Sequence, residues 1–255
     1  MFVDPERSYD LIGDVHGCAH TLTRLLEQLG YRHHGDVWRH PRRQVIFLGD
    51  IIDRGPRIRE ALHLVHAMVE AGQAHCIMGN HEFNALGWYT PAPPESGKTF
   101  VRDHTPRYAM LLQHTFEQFE HYSEEWSAFR EWFMTLPLYL ESERFRVVHA
   151  CWDNAVISQL RLRLSQGRVD LDFLRDAAFN QGFAAKALDR LLRGTDMPLP
   201  EGLTLTSAEG FTRSFFRTKF WEENPQTYGD IVFQPDGLPE KAARIPLSES
   251  QKNQL

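Results

Sequence analysis

The chain has 255 residues, of which 42% are hydrophobic and 24% charged, and its formal net charge is −6. This size allows one large α/β domain or at most two small ones, and the acidic balance excludes capture of nucleic acid by a broad basic surface. No apolar run approaches a membrane span, and the start of the chain lacks the features of a signal peptide. Three widely spaced cysteines, none in a CxxC pair, are typical of a reduced chain. We therefore expect a soluble, cytoplasmic protein whose partners include neither a membrane nor a nucleic-acid polymer.

The first third of the chain alternates short apolar runs with helical repeats. Predicted strands cover residues 9–12, 44–48 and 74–78, and each is followed by Gly-Asp or Gly-Asn. Apolar residues at helical spacing predict helices over 22–29 and 58–69, closed by Gly30 and Gly72. This repeat predicts a sheet built by right-handed crossovers, with ligands bound at the carboxyl ends of its strands.

Further elements follow in the rest of the chain. A loop rich in proline is predicted over residues 90–105, one or two helices over 104–133, and a strand over 145–148. Helices over 156–164 and 171–192 and a loop over 194–202 complete the prediction. We expect residues 1–255 to form a single domain.

Four short motifs supply polar residues that suit a pair of divalent metal ions. They are GDVHG from Gly13, GDIIDRG from Gly49, GNHE from Gly79 and VHA from Val148. Carboxylate, amide and imidazole groups together suit manganese, iron or zinc. Asp14 and His16 can point the same way from an extended segment, and Asp50 can bridge two ions with its two oxygens. Asn80 and His149 would complete the ligands, and two ions so placed lower the pKa of a shared water, which gives a hydroxide nucleophile.

Three neighbouring residues suit phosphoryl transfer. The guanidinium of Arg54 matches phosphate oxygens, and His81 stands next to the predicted ligand Asn80, where it can donate a proton to a leaving group. Asp53 can orient the His81 imidazole. The simpler alternatives are that Arg54 pairs with a surface carboxylate and that His81 is a structural imidazole held by Asp53.

The order of these motifs resembles the calcineurin-like metallophosphoesterases, and within them the phosphoprotein-phosphatase branch, over residues 9–153. The resemblance implies two packed mixed β-sheets flanked by helices. It implies Asp14, His16 and Asp50 at one metal and Asp50, Asn80 and His149 at the other. It also implies that His81 and Asp53 form the acid pair and that Arg54 binds phosphate. Two divalent ions are expected, with Mn²⁺ first and iron or zinc as alternatives.

Two positions depart from the family pattern. Cys151 stands where the fourth motif usually has glycine, and no histidine follows His149, although the family has a later Gly-His motif. We therefore expect that the last strands of one sheet are missing and that the second metal binds weakly.

The predicted function is metal-dependent hydrolysis of a phosphate ester, first of all in phosphoserine or phosphothreonine of a protein. One alternative substrate is a dinucleoside polyphosphate or another nucleotide. A second alternative is a regulatory relative that keeps the fold and lacks activity.

Several weaker patterns keep two interpretations each. Trp88 and Tyr89 either stack on a nucleobase or pack in the protein, and Cys151 is either a nucleophile or a small buried residue. A basic group forms either a second phosphate clamp or a solvated face; it consists of Arg213, Arg217 and Lys219. The string from His81 is one residue short of HExxH, which excludes a zincin site.

Overall fold

The computed structural model describes residues 4, 6–206, 212–233 and 238–252. Its contacts divide the chain into two compact units, Met1–Leu192 and Arg193–Leu255. The described part contains no helix that is both long enough and apolar enough to cross a membrane. That residues 1–255 form a single domain stays a prediction.

The first unit contains seven strands and eight α-helices within its described residues. They are β1 (Ser8–Ile12), α1 (Ala19–Gln28), β2 (Arg32–His34), β3 (Val37–Arg39), β4 (Arg43–Phe47), α2 (Ile58–Glu70), β5 (Ala74–Cys76), α3 (Asn80–Tyr89), α4 (Pro106–Phe119), α5 (Ser123–Phe133), β6 (Tyr139–Glu141), β7 (Arg146–Val148), α6 (Asn154–Arg163), α7 (Leu171–Asp176) and α8 (Phe183–Arg193, whose last residue belongs to the second unit).

The central sheet consists of three parallel strands in the order β1, β4, β5. Ile12 lies opposite Phe47, and Phe47 lies opposite Cys76, so the three strands end side by side. The predicted crossovers are confirmed, because helices α1 and α2 connect these strands. Each helix ends before a glycine with positive φ, Gly30 at 89° and Gly72 at 63°.

The two faces of the sheet pack against different partners. Val45 and Phe47 of β4 join a large core with α1 and α2, whereas Ile46 between them points to the other face. There Ile46 packs with Leu140 of β6 and Val147 of β7, which pair as an antiparallel hairpin. The α/β fold with two packed sheets is thus confirmed, and the second sheet is a two-stranded one in the described residues.

The structure corrects the prediction in several elements of the first unit. The helix predicted over 171–192 is two helices, α7 and α8, with a break at residues 177–182. The hairpin of β2 and β3 was not predicted, although Gly35 at φ 61° makes its turn. Helix α3 was also missed, and its interior residues are buried almost all round, so that it has no amphipathic pattern.

The second unit has its own small core. Its elements are β8 (Asp196–Pro198), β9 (Leu205–Thr206), β10 (Thr212–Arg213), β11 (Phe215–Arg217), α9 (Tyr228–Ile231), α10 (Glu240–Ala243) and α11 (Glu249–Lys252). The loop predicted over 194–202 was wrong in part, because β8 pairs antiparallel with β11. Met197 of β8 is buried with Phe216 of β11, whereas its neighbours in β8 are exposed, as a half-buried strand requires.

Candidate metal centre

The five predicted metal ligands lie together in the first unit, just beyond the carboxyl ends of strands. Asp14 and His16 follow β1, Asp50 follows β4, Asn80 begins α3 after β5, and His149 follows β7. Side-chain atoms of Asp14, Asp50 and His149 lie within 4.8 Å of one another, as do those of His16, Asp50 and His81. The geometry therefore brings every predicted ligand to one place, while their role as ligands stays a prediction.

The centre of this cluster is the buried carboxylate of Asp50. Its Oδ2 lies 3.8 Å from Nε2 of His16 and 3.5 Å from Nε2 of His149. Nε2 of His81 is 3.9 Å from the same oxygen. These distances are longer than those of ordinary hydrogen bonds, so three imidazole nitrogens surround one carboxylate oxygen without being hydrogen-bonded to it.

Both predicted imidazole ligands are oriented by backbone carbonyls. Nδ1 of His16 donates to the carbonyl of Ile52 at 2.8 Å, and Nδ1 of His149 donates to that of Leu48 at 2.6 Å. A neutral imidazole that donates through Nδ1 has a free lone pair on Nε2, which is how metal-binding histidines are usually held. Among the described residues, the buried Nε2 of His16 has no hydrogen-bond partner. An orphaned buried nitrogen facing carboxylates fits a metal ligand.

The charges of the cluster are strongly coupled. Burial opposes ionisation of Asp50, but the His149 imidazole 3.5 Å away outweighs it and lowers the pKa of that carboxyl. Burial likewise opposes protonation of His149, yet the Asp50 carboxylate raises the pKa of this imidazole to about 9. A metal cation beside Asp50 would supply the positive charge at this place and would require His149 to be neutral.

The remaining two predicted ligands lie at the rim. The side-chain amide of Asn80 is 3.2 Å from Nε2 of His149. Asp14 has a side chain that is 55% exposed, and its Oδ2 lies 3.6 Å from Nε2 of His16. That contact with His16 lowers the pKa of Asp14, so the carboxylate is charged on the solvent side of the cluster. The centre is therefore open to a substrate at Asp14.

The backbone around the centre adopts unusual conformations. His16, Asp50, Asp53 and Arg54 have φ of 44°, 53°, 69° and 66°, the left-handed region that residues other than glycine seldom occupy. Each costs roughly 1–3 kcal/mol and persists only where the surroundings impose it, which is a mark of functional sites. The backbone of Gly79 also lies so close to Asp50 that no side chain fits there, because a Cβ on Gly79 would lie 2.2 Å from Oδ1 of Asp50.

The predicted acid pair is also assembled. Nδ1 of His81 lies 2.5 Å from Oδ2 of Asp53, and both side chains are buried. The backbone N–H of His81 donates to Oδ1 of Asp50 at 3.0 Å, which joins the pair to the metal cluster. Nη2 of Arg54 lies 3.5 Å from Nε2 of His81, so this nitrogen and the guanidinium face the same space.

Glu82 fixes the two loops that carry Asp50 and Asn80. Its Oε2 accepts from the N–H of Asp50 at 2.8 Å and from that of Gly79 at 3.0 Å. Its Oε1 accepts from Ile51 at 2.8 Å and from Ile52 at 3.4 Å. Burial raises the pKa of Glu82, the charge of Asp50 adds to the rise, and the N–H donors oppose it.

Glu82→Gln is expected to destabilise the fold by about 3 kcal/mol, because the new amide group turns a donor towards N–H donors in a buried site. Urea unfolding followed by circular dichroism measures this loss. Glu120→Gln, at an exposed position, removes the same charge and should change stability by no more than about 0.5 kcal/mol. Equal stability of the two variants would contradict the bracing role of Glu82.

The structure favours one of the two interpretations for Trp88 and for Cys151. The Trp88 ring stacks on His104 with centroids 3.8 Å apart and planes inclined by 10°, so one face of the indole is already covered. Tyr89 is 40% exposed and carries the Arg130 guanidinium 4.1 Å from its ring centroid. Cys151 is buried, and burial raises the pKa of its thiol, which opposes a role as nucleophile. Packing is therefore the better supported role of Trp88 and Cys151.

Some contacts of the site could not be predicted from the sequence. The carbonyls of Leu48 and Ile52 orient the two imidazoles, but backbone groups leave no residue-type signal. Thr115 of α4 contacts Asp53 across 62 positions of sequence. Nothing in the surrounding residues of α4 distinguishes this threonine from a core position.

Comparison with known families gives a match that covers most of the first unit and extends into the second. Residues 9–225 match the sequence profile of the calcineurin-like phosphoesterases. The asymmetrical bis(5'-nucleosyl)-tetraphosphatase PrpE of Oceanobacillus iheyensis is 34% identical over 142 residues, which are 55% of this chain and 54% of that relative. The protein of the same name from Halalkalibacterium halodurans is 43% identical over 74 residues, 29% of this chain and 30% of the relative. The chain thus spans about half of the first relative's length and less of the second's.

Two phosphatases are among the solved structures that resemble part of this chain. A protein serine/threonine phosphatase of Saccharomyces cerevisiae gives a TM-score of 0.33 at 20% identity, over 53% of this chain and 35% of that chain. A cold-active protein-tyrosine phosphatase of a Shewanella species gives 0.42 at 19% identity, over 74% of this chain and 54% of the other.

Proposed function

This chain belongs to the calcineurin-like phosphoesterase family, and from that membership we propose that it is a metal-dependent hydrolase of phosphate esters. The observation that carries the proposal is the position of Asp50. Its buried carboxylate is surrounded at 3.5–3.9 Å by the Nε2 atoms of His16, His81 and His149. A buried anion ringed by imidazoles, two of them oriented by carbonyls, is a donor set for divalent cations.

Two divalent ions held by this centre would supply Lewis acidity to the phosphoryl group and a nucleophilic water near neutral pH. The residues proposed to hold them are Asp14, His16, Asp50, Asn80 and His149. Manganese is the ion we expect from this mixture of oxygen and imidazole donors, with iron or zinc as alternatives.

The other side chains of the site bind the phosphoryl group and move a proton. Arg54 presents a guanidinium next to Nε2 of His81, where it can hold phosphate oxygens through paired N–H donors. His81 donates the proton on Nε2 to the departing oxygen, and its Nδ1–H stays bonded to Asp53. The carboxylate of Asp53 keeps the imidazole in the orientation that directs Nε2 towards the substrate.

For the substrate, we propose a nucleoside polyphosphate. The two relatives described above, which match this chain over 142 and 74 residues, are named bis(5'-nucleosyl)-tetraphosphatases. Phosphoserine or phosphothreonine in a protein, the substrate class that the motifs favour first, stays a prediction. A regulatory relative without activity is the least supported alternative, because all predicted ligands lie together.

A direct comparison of substrates tests the proposal. Release of nitrophenol from p-nitrophenyl phosphate in the presence of Mn²⁺ measures the chemistry alone. Diadenosine tetraphosphate and a phosphothreonine peptide, each at the same concentration, then separate the substrate classes. A higher kcat/KM for the dinucleotide supports the proposed substrate, and a higher value for the peptide rejects it in favour of a protein phosphatase.

Metal binding is expected to raise the thermal stability of the chain. A ligand at about 100 times its Kd adds about 2.7 kcal/mol to the folded state, which raises Tm by several degrees. Differential scanning fluorimetry in EDTA and after addition of MnCl₂ measures the shift. Asp36→Asn, at an exposed turn, should keep it, while Asp50→Asn should lose it. A shift of equal size in both variants would show that the ion binds elsewhere.

A further inference from the structure

Helix α4 makes side-chain contacts with the loop that carries the acid pair. Nδ1 of His114 lies 2.8 Å from the carbonyl of Arg54. Gln118 donates to the carbonyl of Gly55 at 3.0 Å. Between them, Thr115 points at Asp53, so three polar residues of one helix hold consecutive residues of the loop.

Two hydrogen bonds join Thr115 and Asp53. The N–H of Asp53 donates to Oγ1 of Thr115 at 3.1 Å. The Thr115 hydroxyl in turn donates to Oδ1 of Asp53, while the other carboxylate oxygen, Oδ2, lies 2.5 Å from Nδ1 of His81. A continuous chain of hydrogen bonds thus runs from the Thr115 hydroxyl through Asp53 to His81.

These hydrogen bonds stabilise two unfavourable features of the loop, its backbone conformation and its buried carboxylate. Asp53 and Arg54 are both in the left-handed region, at φ 69° and 66°, and such a pair of residues needs outside contacts to hold it. The Asp53 side chain is also completely buried, and a buried carboxylate oxygen without a donor is costly. Thr115 is itself buried, with 0% exposure, so water does not compete for its hydroxyl.

We propose that Thr115 is a positioning residue of the acid pair, which holds the Asp53 carboxylate so that the His81 imidazole presents Nε2 to the leaving oxygen. The inference rests on the proposed function, in which His81 is the proton donor to the leaving oxygen. It requires that loss of the hydroxyl slows protonation of the leaving group and leaves phosphate binding intact.

The test compares substrates whose leaving groups differ in basicity. Phenyl phosphate releases a strongly basic oxygen that needs a proton, whereas 2,4-dinitrophenyl phosphate releases a weakly basic one that does not. Thr115→Val should lower kcat for phenyl phosphate by about 10- to 100-fold, the size of effect of groups that orient a catalytic ligand. The kcat for the dinitrophenyl ester should change much less. A merely structural role would lower both rates together.

Two further variants make the result specific. Thr115→Ser keeps the hydroxyl and should restore kcat for phenyl phosphate to within about threefold of the original. Thr90→Val is the matched control, since Thr90, the residue after α3, is also buried and its hydroxyl donates to the carbonyl of Leu86 in that helix. Thr115→Ala replaces the valine variant if valine does not fold. Equal loss for both esters, or no rescue by serine, overturns the proposal.

A spectroscopic measurement separates this inference from the proposed function. The Nδ1–H proton of His81 should give a low-field ¹H NMR signal that is assigned by its loss in His81→Asn. This signal should shift or broaden in Thr115→Val and remain in Thr115→Ser and Thr90→Val. An unchanged signal in Thr115→Val rejects the positioning role even if the chain hydrolyses none of the esters. Absence of metal-dependent hydrolysis with the expected signal changes would reject the proposed function alone.

Discussion

Asp50→Asn should lower kcat for p-nitrophenyl phosphate by about 10²- to 10³-fold, the effect of removing a group that stabilises charge in the transition state. The reason is that Oδ2 of Asp50 lies 3.5–3.9 Å from the Nε2 atoms of all three imidazoles of the centre. Asparagine places a neutral amide there, so the carboxylate charge that would hold the cations is lost. The measurement is the steady-state rate at saturating Mn²⁺.

The same substitution should leave the fold intact. Asp50 has φ of 53°, and asparagine is among the few residues that accept the left-handed region readily. Its amide oxygen can still accept the N–H of His81, as Oδ1 of Asp50 does at 3.0 Å. Circular dichroism should therefore show an unchanged spectrum, and Asp36→Asn should keep both fold and rate. Turnover of Asp50→Asn within about tenfold of the original would reject Asp50 as the shared ligand, since charged ligands contribute more than this.

The sequence predicted the part of the fold that depends on regular patterns. Strands β1, β4 and β5 are apolar runs that end at Gly-Asp or Gly-Asn, and α1 and α2 have one apolar face each. Where a segment is buried on all sides or is short and contains proline, these patterns disappear. Helix α3 is an example of the first case and β8 of the second.

The site was predictable to the extent that it depends on side-chain type next to a strand end. Asp14, Asp50 and Asn80 come together because parallel strands in register end at one edge. The supporting contacts depend on tertiary geometry instead. The carbonyl of Leu48 meets His149 across 101 positions, and Thr115 meets Asp53 across 62. No local spacing rule relates such distant residues.

His81→Asn should lower kcat for phenyl phosphate by about 10²- to 10⁴-fold, the usual contribution of a positioned proton donor. The asparagine amide can still donate to Asp53, so the buried carboxylate keeps a partner and the loop keeps its position. The new side chain carries no group that can release a proton to the departing oxygen. His121→Asn, at an exposed position, is the control that should keep the original rate.

This loss should differ from that of Asp50→Asn in its effect on metal binding. His81 is not one of the proposed metal ligands, and its backbone N–H still donates to Asp50 after the substitution, so the Mn²⁺-dependent rise in Tm should persist in His81→Asn. Asp53→Asn should lower kcat through the same imidazole, and the double variant should therefore be no slower than His81→Asn alone. If the two losses multiplied instead, Asp53 would act independently of His81, and the 2.5 Å contact between them would not be the basis of proton donation.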